Sequence, residues 1–481
     1  MTSVRWPAAS RSLVAATGAV VLAVLVLGSW ALAAPHGAVA DTDELLIRIW
    51  CQEPDLDRCA EPIGPSADDE DVRLVPERLL EQRCVLVDPD ASAACLETGG
   101  IGSRMVPAVA TPRDEADGPV GLYVHLHGRA VSDDVDASLT RIRLVNGGLF
   151  LAVVSVAFAV AGPGLRPTMV AGAVPIIPLG LIVAGSLDPL SWTLAGASVM
   201  LPMLLTVLGS EHLWRRLSAG AVAAVGGVLL LTPPAQPPNR AVLLLVLIGG
   251  IVLAVRLSSR SHSEERTVVA VALIALVVVS SVVRSVLPVP LLGPTLDAVG
   301  RGLAEIGPQL LGRAAVTLPV MLAVTAIVVL AGLRRQGPVG LVVLGAAATV
   351  GWVLAIGPDA EALHEATVPP EALLPTLVVL VGVATLARPP SRPLLPGRAA
   401  NVIAGVVTIV HALALRGRID RFGAPAGERG GWPLHVEWWW DIPVTPDLVW
   451  AVGSLGMAGL AILATPHLAA ARSAPVPEAA R

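Results

Sequence analysis

The chain contains no lysine, so all 33 basic residues are arginine, and it has one tyrosine and three phenylalanines. Charged residues make up 15% of its 481 residues, whereas soluble domains carry about 25%. This composition excludes an ordinary soluble fold for most of the chain. No basic patch interleaved with aromatic residues occurs, so a nucleic-acid partner is not expected.

The chain instead carries a series of apolar runs, most of them close to the roughly 20 residues that cross a bilayer as an α-helix. The runs are 13–34, 146–163, 169–186, 190–209, 217–233, 241–255, 267–287, 315–333, 338–357, 371–387, 399–415 and 448–466. Several are interrupted by proline, such as Pro175 and Pro178 in the third run. The pattern predicts an all-α polytopic membrane protein with about 12 transmembrane helices.

The arginines predict the orientation, because arginine in short loops marks the cytoplasmic side. With the N-terminus inside, fifteen arginines fall in cytoplasmic segments, eight in outer loops and ten in residues 35–145. Both termini are therefore predicted to be cytoplasmic. Trp30 and Trp192 then lie at outer ends of spans, where indole rings favour the headgroup region.

The first apolar run has two interpretations. Its length of about 20 residues favours a retained membrane anchor. The triplet 38–40, Ala-Val-Ala, is instead typical of a signal-peptide cleavage site, and cleavage would leave 11 helices.

These boundaries divide the chain into four parts. Residues 1–34 hold the cytoplasmic N-terminus and the first span, and 35–145 form an extracytoplasmic domain. Residues 146–471 form a membrane domain of eleven helices, and 472–481 are a cytoplasmic tail. The excess of Ala, Val, Leu, Gly and Pro indicates a GC-rich bacterial source, and so a place in the bacterial cell (inner) membrane.

Residues 35–145 contain all four cysteines and 22 of the 38 acidic residues. The short apolar or alternating segments are typical of strands, and they predict a small β-rich domain with its own core. These segments are 45–50, 84–87, 121–127 and 139–144.

The cysteines predict disulfides, because they would lie outside the cytoplasm, where such bonds persist. Among the three possible connectivities the local pairs, Cys51–Cys59 and Cys84–Cys95, are favoured. The spacings lack the close cysteine pairs of a zinc site.

His125 and His127 would share one face of a predicted strand. Two imidazoles on one face could form half of a zinc or copper site. No third ligand is identified, so an exposed polar face is favoured, and no metal or other cofactor is expected.

Asp43 and Glu44 follow the first span closely. Acidic residues at this place resemble the layout of lipid-linked-sugar glycosyltransferases, in which such a carboxylate acts as a base or a metal ligand. A solvated linker is the favoured alternative.

Two outer loops are candidate functional surfaces. In 292–311 apolar residues recur every three or four positions, which predicts an amphipathic helix on the outer leaflet. The loop 416–447 combines arginines, which bind phosphates or carboxylates, with tryptophans, which pack against sugars or lie at headgroups.

In the loop 416–447, the candidate ligand-binding residues are Arg416, Arg418, Arg429, Trp438, Trp439 and Trp440. The candidate catalytic residues are Arg421 and His435, with Asp43 and Glu44. A late outer loop of this kind resembles that of O-antigen ligases and polymerases, and a loop docked on the membrane interface is the alternative.

Ionisable residues are nearly absent from the predicted spans, and His411 in the eleventh span is the main polar candidate. An ionisable group inside a membrane is a candidate binding residue, with packing as the alternative. The scarcity of buried carboxylates argues against a proton-coupled transporter.

Three functions are consistent with these features. The favoured one is a ligand- or partner-binding membrane protein that acts at the extracytoplasmic face, with membrane lipids and a signalling or transport subunit as partners. A transporter or permease is the second, since twelve spans with both termini inside is a common transporter layout. A membrane enzyme acting on a lipid-linked substrate at the outer face is the third, so enzymatic activity stays open.

Overall fold

The computed structural model describes residues 8–33, 35, 43–51, 59, 72–77, 79, 92–93, 105–109, 119–232, 311–333, 374–386, 393–424 and 444–469. This part of the chain is mostly helical. Seven of its helices are long and apolar enough to cross a membrane, which fits an integral membrane protein. A shorter apolar helix covers Leu374–Thr385.

The elements are numbered along the described residues. The helices are α1 (Ala8–Leu32), α2 (Asp43–Trp50), α3 (Pro119–Gly128), α4 (Val135–Val160), α5 (Arg166–Ala173), α6 (Leu179–Ala184), α7 (Leu190–Gly209), α8 (Leu213–Leu231), α9 (Thr317–Leu333), α10 (Leu374–Leu386), α11 (Gly397–Gly423) and α12 (Pro446–Ala469). Short 3₁₀ helices cover Val174–Ile176 and Gly312–Val316. The strands are β1 (Val72–Pro76) and β2 (Met105–Val109).

The outer faces of the long helices are apolar. On α12 the exposed side chains of Leu448, Leu455 and Ile462 recur every seven residues along one face. Val402 and Ile409 do the same on α11. Faces of this kind suit contact with hydrocarbon, so these helices are built for a membrane.

Helix α7 is the central helix of the described bundle, and 83% of its residues Leu190–Val207 are buried. It packs against α8 most extensively and also against α4 and α10. A Cβ added at Gly196 would lie 2.5 Å from Gly226 O and 2.7 Å from Leu230 Cγ. Only glycine at position 196 therefore lets the two helices approach this closely.

Helix α12 packs between α1 and α11. A Cβ added at Gly453 would lie 2.6 Å from Leu415 Cδ2 on α11 and 2.7 Å from Ser29 Cβ on α1. Helix α1 thus packs against α12.

Several predicted spans have different boundaries in the structure. α4 begins at Val135 instead of 146, because the Asp134 side chain accepts a hydrogen bond from Ala137 N and caps the helix. The third predicted span consists of α5, a 3₁₀ turn and α6, interrupted at Pro175 and Pro178. The eleventh extends beyond 415 as far as Gly423.

The prediction of a β-rich domain at 35–145 is not confirmed. Segments 45–50, 121–127 and 139–144 were expected as strands, but they form α2, part of α3 and part of α4. Short apolar runs do not distinguish the two structures, and packing decides between them. The strands that are described, β1 and β2, pair antiparallel with Val72 opposite Val109.

The Cys51–Cys59 disulfide is confirmed, with Cα atoms 5.4 Å apart. Cys84 and Cys95 lie outside the described residues. So do segment 84–87, the predicted spans 241–255, 267–287 and 338–357, all of the predicted helix 292–311 except Leu311, and the tail 472–481. The count of twelve spans therefore stays a prediction.

Candidate functional site

A cluster of buried polar side chains lies where α3 and the first turns of α4 meet the turn between α6 and α7. We call it the polar junction, and it consists of Tyr123, His127, Arg143, Asn146 and Trp192. The Tyr123 hydroxyl donates to Leu187 O at 2.6 Å. Asn146 Nδ2 donates to Ser186 O at 2.9 Å and to the Tyr123 hydroxyl at 3.0 Å. Trp192 Nε1 donates to Asn146 Oδ1 at 3.0 Å.

The end of α6 is held by this cluster. Arg143 Nε donates to Gly185 O at 2.9 Å, so each of the three consecutive carbonyls of 185–187 accepts a hydrogen bond from one junction side chain. Carbonyls at the end of a helix lack partners within the helix, and here side chains supply them. The junction thus fixes the α6–α7 turn to α3 and α4.

His127 lies at the centre of the junction. Its Nδ1 is 2.7 Å from Tyr123 O, and its Nε2 is 2.9 Å from Asn146 Oδ1. Burial lowers the pKa of His127 below its ordinary value of 6.5, although both hydrogen bonds oppose the shift. Burial also raises the pKa of Tyr123, so its hydroxyl stays a donor.

Three arginines form a second buried cluster, which we call the arginine cluster: Arg143, Arg418 and Arg421. Their side chains are 5%, 2% and 1% exposed. Arg143 and Arg421 both lie near Arg418. The guanidinium carbons of Arg418 and Arg421 lie 5.2 and 5.1 Å from the ring centre of Phe422. The cluster shares Arg143 with the polar junction, so the end of α11 lies beside the start of α4.

A separate polar pair joins α1 to α11. Trp30 Nε1 donates to His411 Nε2 at 2.9 Å, and both side chains are fully buried. His411 Nδ1 is buried and has no hydrogen-bond partner among the described residues. Trp30 and Trp192, which were predicted at outer span ends, are both buried and donate hydrogen bonds within the protein.

An apolar, partly open cavity of about 310 Å³ lies between the helices of the described bundle. We call it the bundle cavity. Residues of α1, α4, α5, α6, α7, α10, α11 and α12 line it. Among its lining residues only Thr168 and Ser198 carry polar side chains, and Ser198 Oγ donates to Leu194 O of its own helix.

The three features follow one another along α11. Val407 lines the bundle cavity, His411 is one turn farther on, and Arg418 is two turns beyond His411. At a rise of about 1.5 Å per residue, Val407 and Arg418 are about 16 Å apart along the helix axis. On α1, Leu27 lines the cavity and Trp30 follows it by one turn. The Trp30–His411 pair therefore separates the cavity from the arginine cluster.

The predicted metal ligands do not share a face. Because 121–127 is helical, His125 is exposed and His127 is buried in the polar junction. Within the described residues, no group of three or more His, Cys, Asp or Glu side chains could hold a metal ion.

The outer loop predicted at 416–447 begins later in the structure. Arg416, Arg418 and Arg421 belong to α11, and Arg416 pairs with Asp420 one turn on, at 3.8 Å. Hydropathy ended this span too early, because the i,i+4 pair continues the helix with polar residues.

The other candidate site residues are described in part or not at all. Asp43 and Glu44 begin α2, but their side chains lie outside the described residues. Arg429, His435, Trp438, Trp439 and Trp440 lie outside them too. The catalytic hypothesis for Arg421 and His435 is therefore untested.

The sequence reasoning missed Tyr123, Arg143 and Asn146. A signal was present for two of them: Arg143 and Asn146 are three residues apart at the start of an apolar run, which puts them on one face of a helix. The strand prediction for 139–144 concealed that spacing.

No family model matches the chain, and no curated protein or solved structure matches it either. The functional conclusion therefore depends on the geometry alone.

Proposed function

We propose that this membrane protein binds a lipid-like ligand inside its helical bundle. The apolar chain of the ligand occupies the bundle cavity, and the polar junction and arginine cluster form the face at which the protein acts. The observation that carries this proposal is the cavity, with its volume of about 310 Å³ and its apolar lining.

The size of the cavity favours an occupant. The cavity is partly open, so an apolar chain can enter it. Its volume of about 310 Å³ lies at the lower end of small-molecule sites, about 300–1,000 Å³.

The lining decides the chemistry of the occupant. A buried water needs two to four polar partners, and Thr168 and Ser198 are the polar side chains among the lining residues. No described lining residue carries a charged side chain. An aliphatic or isoprenoid chain fits these surroundings, and such chains surround any membrane protein.

The proposal includes an orientation. We propose twelve spans in a bacterial cell membrane, with both termini cytoplasmic and residues 35–145 outside. The arginine distribution supports it, and so does the Cys51–Cys59 bond, since disulfides persist outside the cytoplasm. The packing of α1 against α12 and its hydrogen bond to α11 through Trp30 and His411 support its retention as a membrane anchor.

A transporter is the second candidate, because the interrupted span lines the cavity. Val174, Ile176 and Ile177 lie between α5 and α6, and all three contribute to the lining. Transporters commonly form their binding sites at interrupted helices. If vesicles containing the protein moved a labelled lipid across the bilayer no faster than protein-free vesicles, this candidate would be rejected.

The binding proposal is tested by filling the cavity. Ala197 lines it and is 2% exposed, so Ala197→Phe places a ring in the cavity space. We expect protein purified from its membranes to carry bound lipid in native mass spectra, and Ala197→Phe to lose at least tenfold in occupancy. The matched control is Ala224→Phe on α8, where the side chain is exposed.

The outcome is decided by comparing the two variants. Circular dichroism shows whether each variant keeps its helices. A folded Ala197→Phe protein that carries the same lipid as the wild type would refute the proposal.

A further inference from the structure

One ring nitrogen of His411, Nδ1, has no hydrogen-bond partner among the described residues, and it indicates which polar group a ligand would carry. Trp30 Nε1 can only donate, so His411 Nε2, at 2.9 Å from it, carries no proton. In the neutral ring the proton is then on Nδ1. That N–H is buried and has no partner within the part of the chain that the structure describes.

Buried donors are nearly always hydrogen-bonded in folded proteins, and one left without an acceptor is costly. No described side chain accepts a hydrogen bond from this N–H. Leu27 and Val407, one turn away on α1 and α11, are apolar and line the bundle cavity. A ligand in the cavity, which begins about one helical turn from this side chain, is therefore the natural source of the acceptor.

From this geometry we infer that His411 Nδ1–H donates a hydrogen bond to a carbonyl oxygen of a lipid whose chain lies in the bundle cavity. The inference rests on the proposed function. A single neutral N–H suits a neutral carbonyl. A phosphate would require several donors or a cation, and no arginine is among the described residues that line the cavity. The carbonyl belongs either to the acyl ester of a glycerolipid or to the ring of an isoprenoid quinone.

Trp30 is the positioning residue of this site. Its indole N–H occupies Nε2 and so keeps the proton of the neutral ring on Nδ1. The rings meet edge to face, with centres 5.7 Å apart, which fixes the plane of the imidazole.

The test uses pairs of lipids that differ in the carbonyl. One arm titrates delipidated, detergent-solubilised protein with a diacyl phosphatidylcholine and with its dialkyl ether analogue, followed by native mass spectrometry. The other arm compares an isoprenoid quinone with an isoprenoid hydrocarbon of the same length. We expect the wild type to prefer the carbonyl compound by about tenfold in one arm, the size of effect of one net hydrogen bond. That arm names the source of the carbonyl.

The variants assign the preference to His411. His411→Phe keeps a flat ring without a donor and should bind both members of each pair equally. His411→Gln keeps an N–H donor as well as an acceptor for Trp30, so it should retain most of the preference. Trp30→Phe keeps an aromatic ring but removes the indole N–H, and it should lower the preference less than His411→Phe does.

The failures are distinguishable. Equal binding of both members of each pair by the wild type, with loss of both in Ala197→Phe, would reject the role of His411 and leave the cavity proposal standing. A preference that survives in His411→Phe would also reject it. If the wild type bound none of the four compounds, the cavity proposal would fall with it.

Discussion

His127 is the residue of the polar junction at which a proton changes the hydrogen bonding. Both ring nitrogens face oxygen acceptors, Tyr123 O and Asn146 Oδ1, but a neutral imidazole has one N–H. Asn146 cannot turn its amide round, because Nδ2 donates to Ser186 O and Oδ1 accepts from Trp192. Burial favours the neutral ring, whereas these acceptors favour the charged one.

The stability of the protein should therefore depend on pH below 6.5. Because the folded-state pKa of His127 is lowered from 6.5, the unfolded state binds more protons in that window, and stability is lost as the pH falls through it. We expect the thermal midpoint in detergent to be lower at about pH 5 than at about pH 7.5. His127→Gln should reduce this difference.

His125→Gln is the control, since His125 is exposed on the same helix. It should leave the pH dependence of the midpoint as in the wild type. Identical pH profiles for wild type and His127→Gln would show that His127 does not contribute.

At the scale of elements, the contact between α7 and α8 depends on Gly196. Gly196→Ala places a methyl group 2.5 Å from Gly226 O, a backbone atom that cannot move without shifting α8. We expect a loss of about 1–3 kcal/mol, the usual cost of overpacking a core. The shift is measured as a fall in the thermal midpoint.

Gly227→Ala on α8 is the matched substitution. A Cβ there would meet only Met200 Cε, at 3.9 Å, so alanine should be neutral or slightly stabilising as the better helix former. Equal effects of the two substitutions would contradict the close approach at Gly196.

Hydropathy predicted the bounds of the long helices well where the helix and its apolar run end together. The fourth run matches α7 residue for residue, and the twelfth differs from α12 by a few residues at each end. It failed where a helix continues past its apolar part, as α4 does towards Asp134 and α11 does through Arg416 and Asp420. A cap and an i,i+4 ion pair extend these helices, and neither contributes to hydropathy.

The junction was harder to predict than the helices. Its hydrogen bonds join residues 40, 46 and 64 positions apart, and local patterns contain no information on such contacts. The Trp30–His411 pair spans 381 positions. The sequence offered His411 as a polar residue in a span, but its partner could be found only in the folded bundle.

At the scale of the whole molecule, the proposed orientation predicts which loops face outward. Asp133, before α4, should lie outside, and Glu211, between α7 and α8, should lie in the cytoplasm; both are exposed. We expect a membrane-impermeant maleimide to label Asp133→Cys in intact cells above the level of the parent protein. Glu211→Cys should be labelled only after the cells are opened.

If Glu211→Cys were labelled in intact cells and Asp133→Cys only in opened cells, the orientation in the membrane would be opposite to the one proposed. The polar junction would then face the cytoplasm. Labelling of both positions in intact cells would reject the number of spans between them.

The contacts of α1 with α11 and α12 also have a consequence for biogenesis. Membrane helices are made and inserted in chain order, so α1 enters the bilayer well before α12, the partner that Gly453 brings into close contact with it. Until α11 is made, the indole N–H of Trp30 lacks its hydrogen-bond acceptor, His411 Nε2. The bundle can close only after α11 and α12 have been made, and a chain that stops before α11 would present an unfinished surface to quality-control proteases.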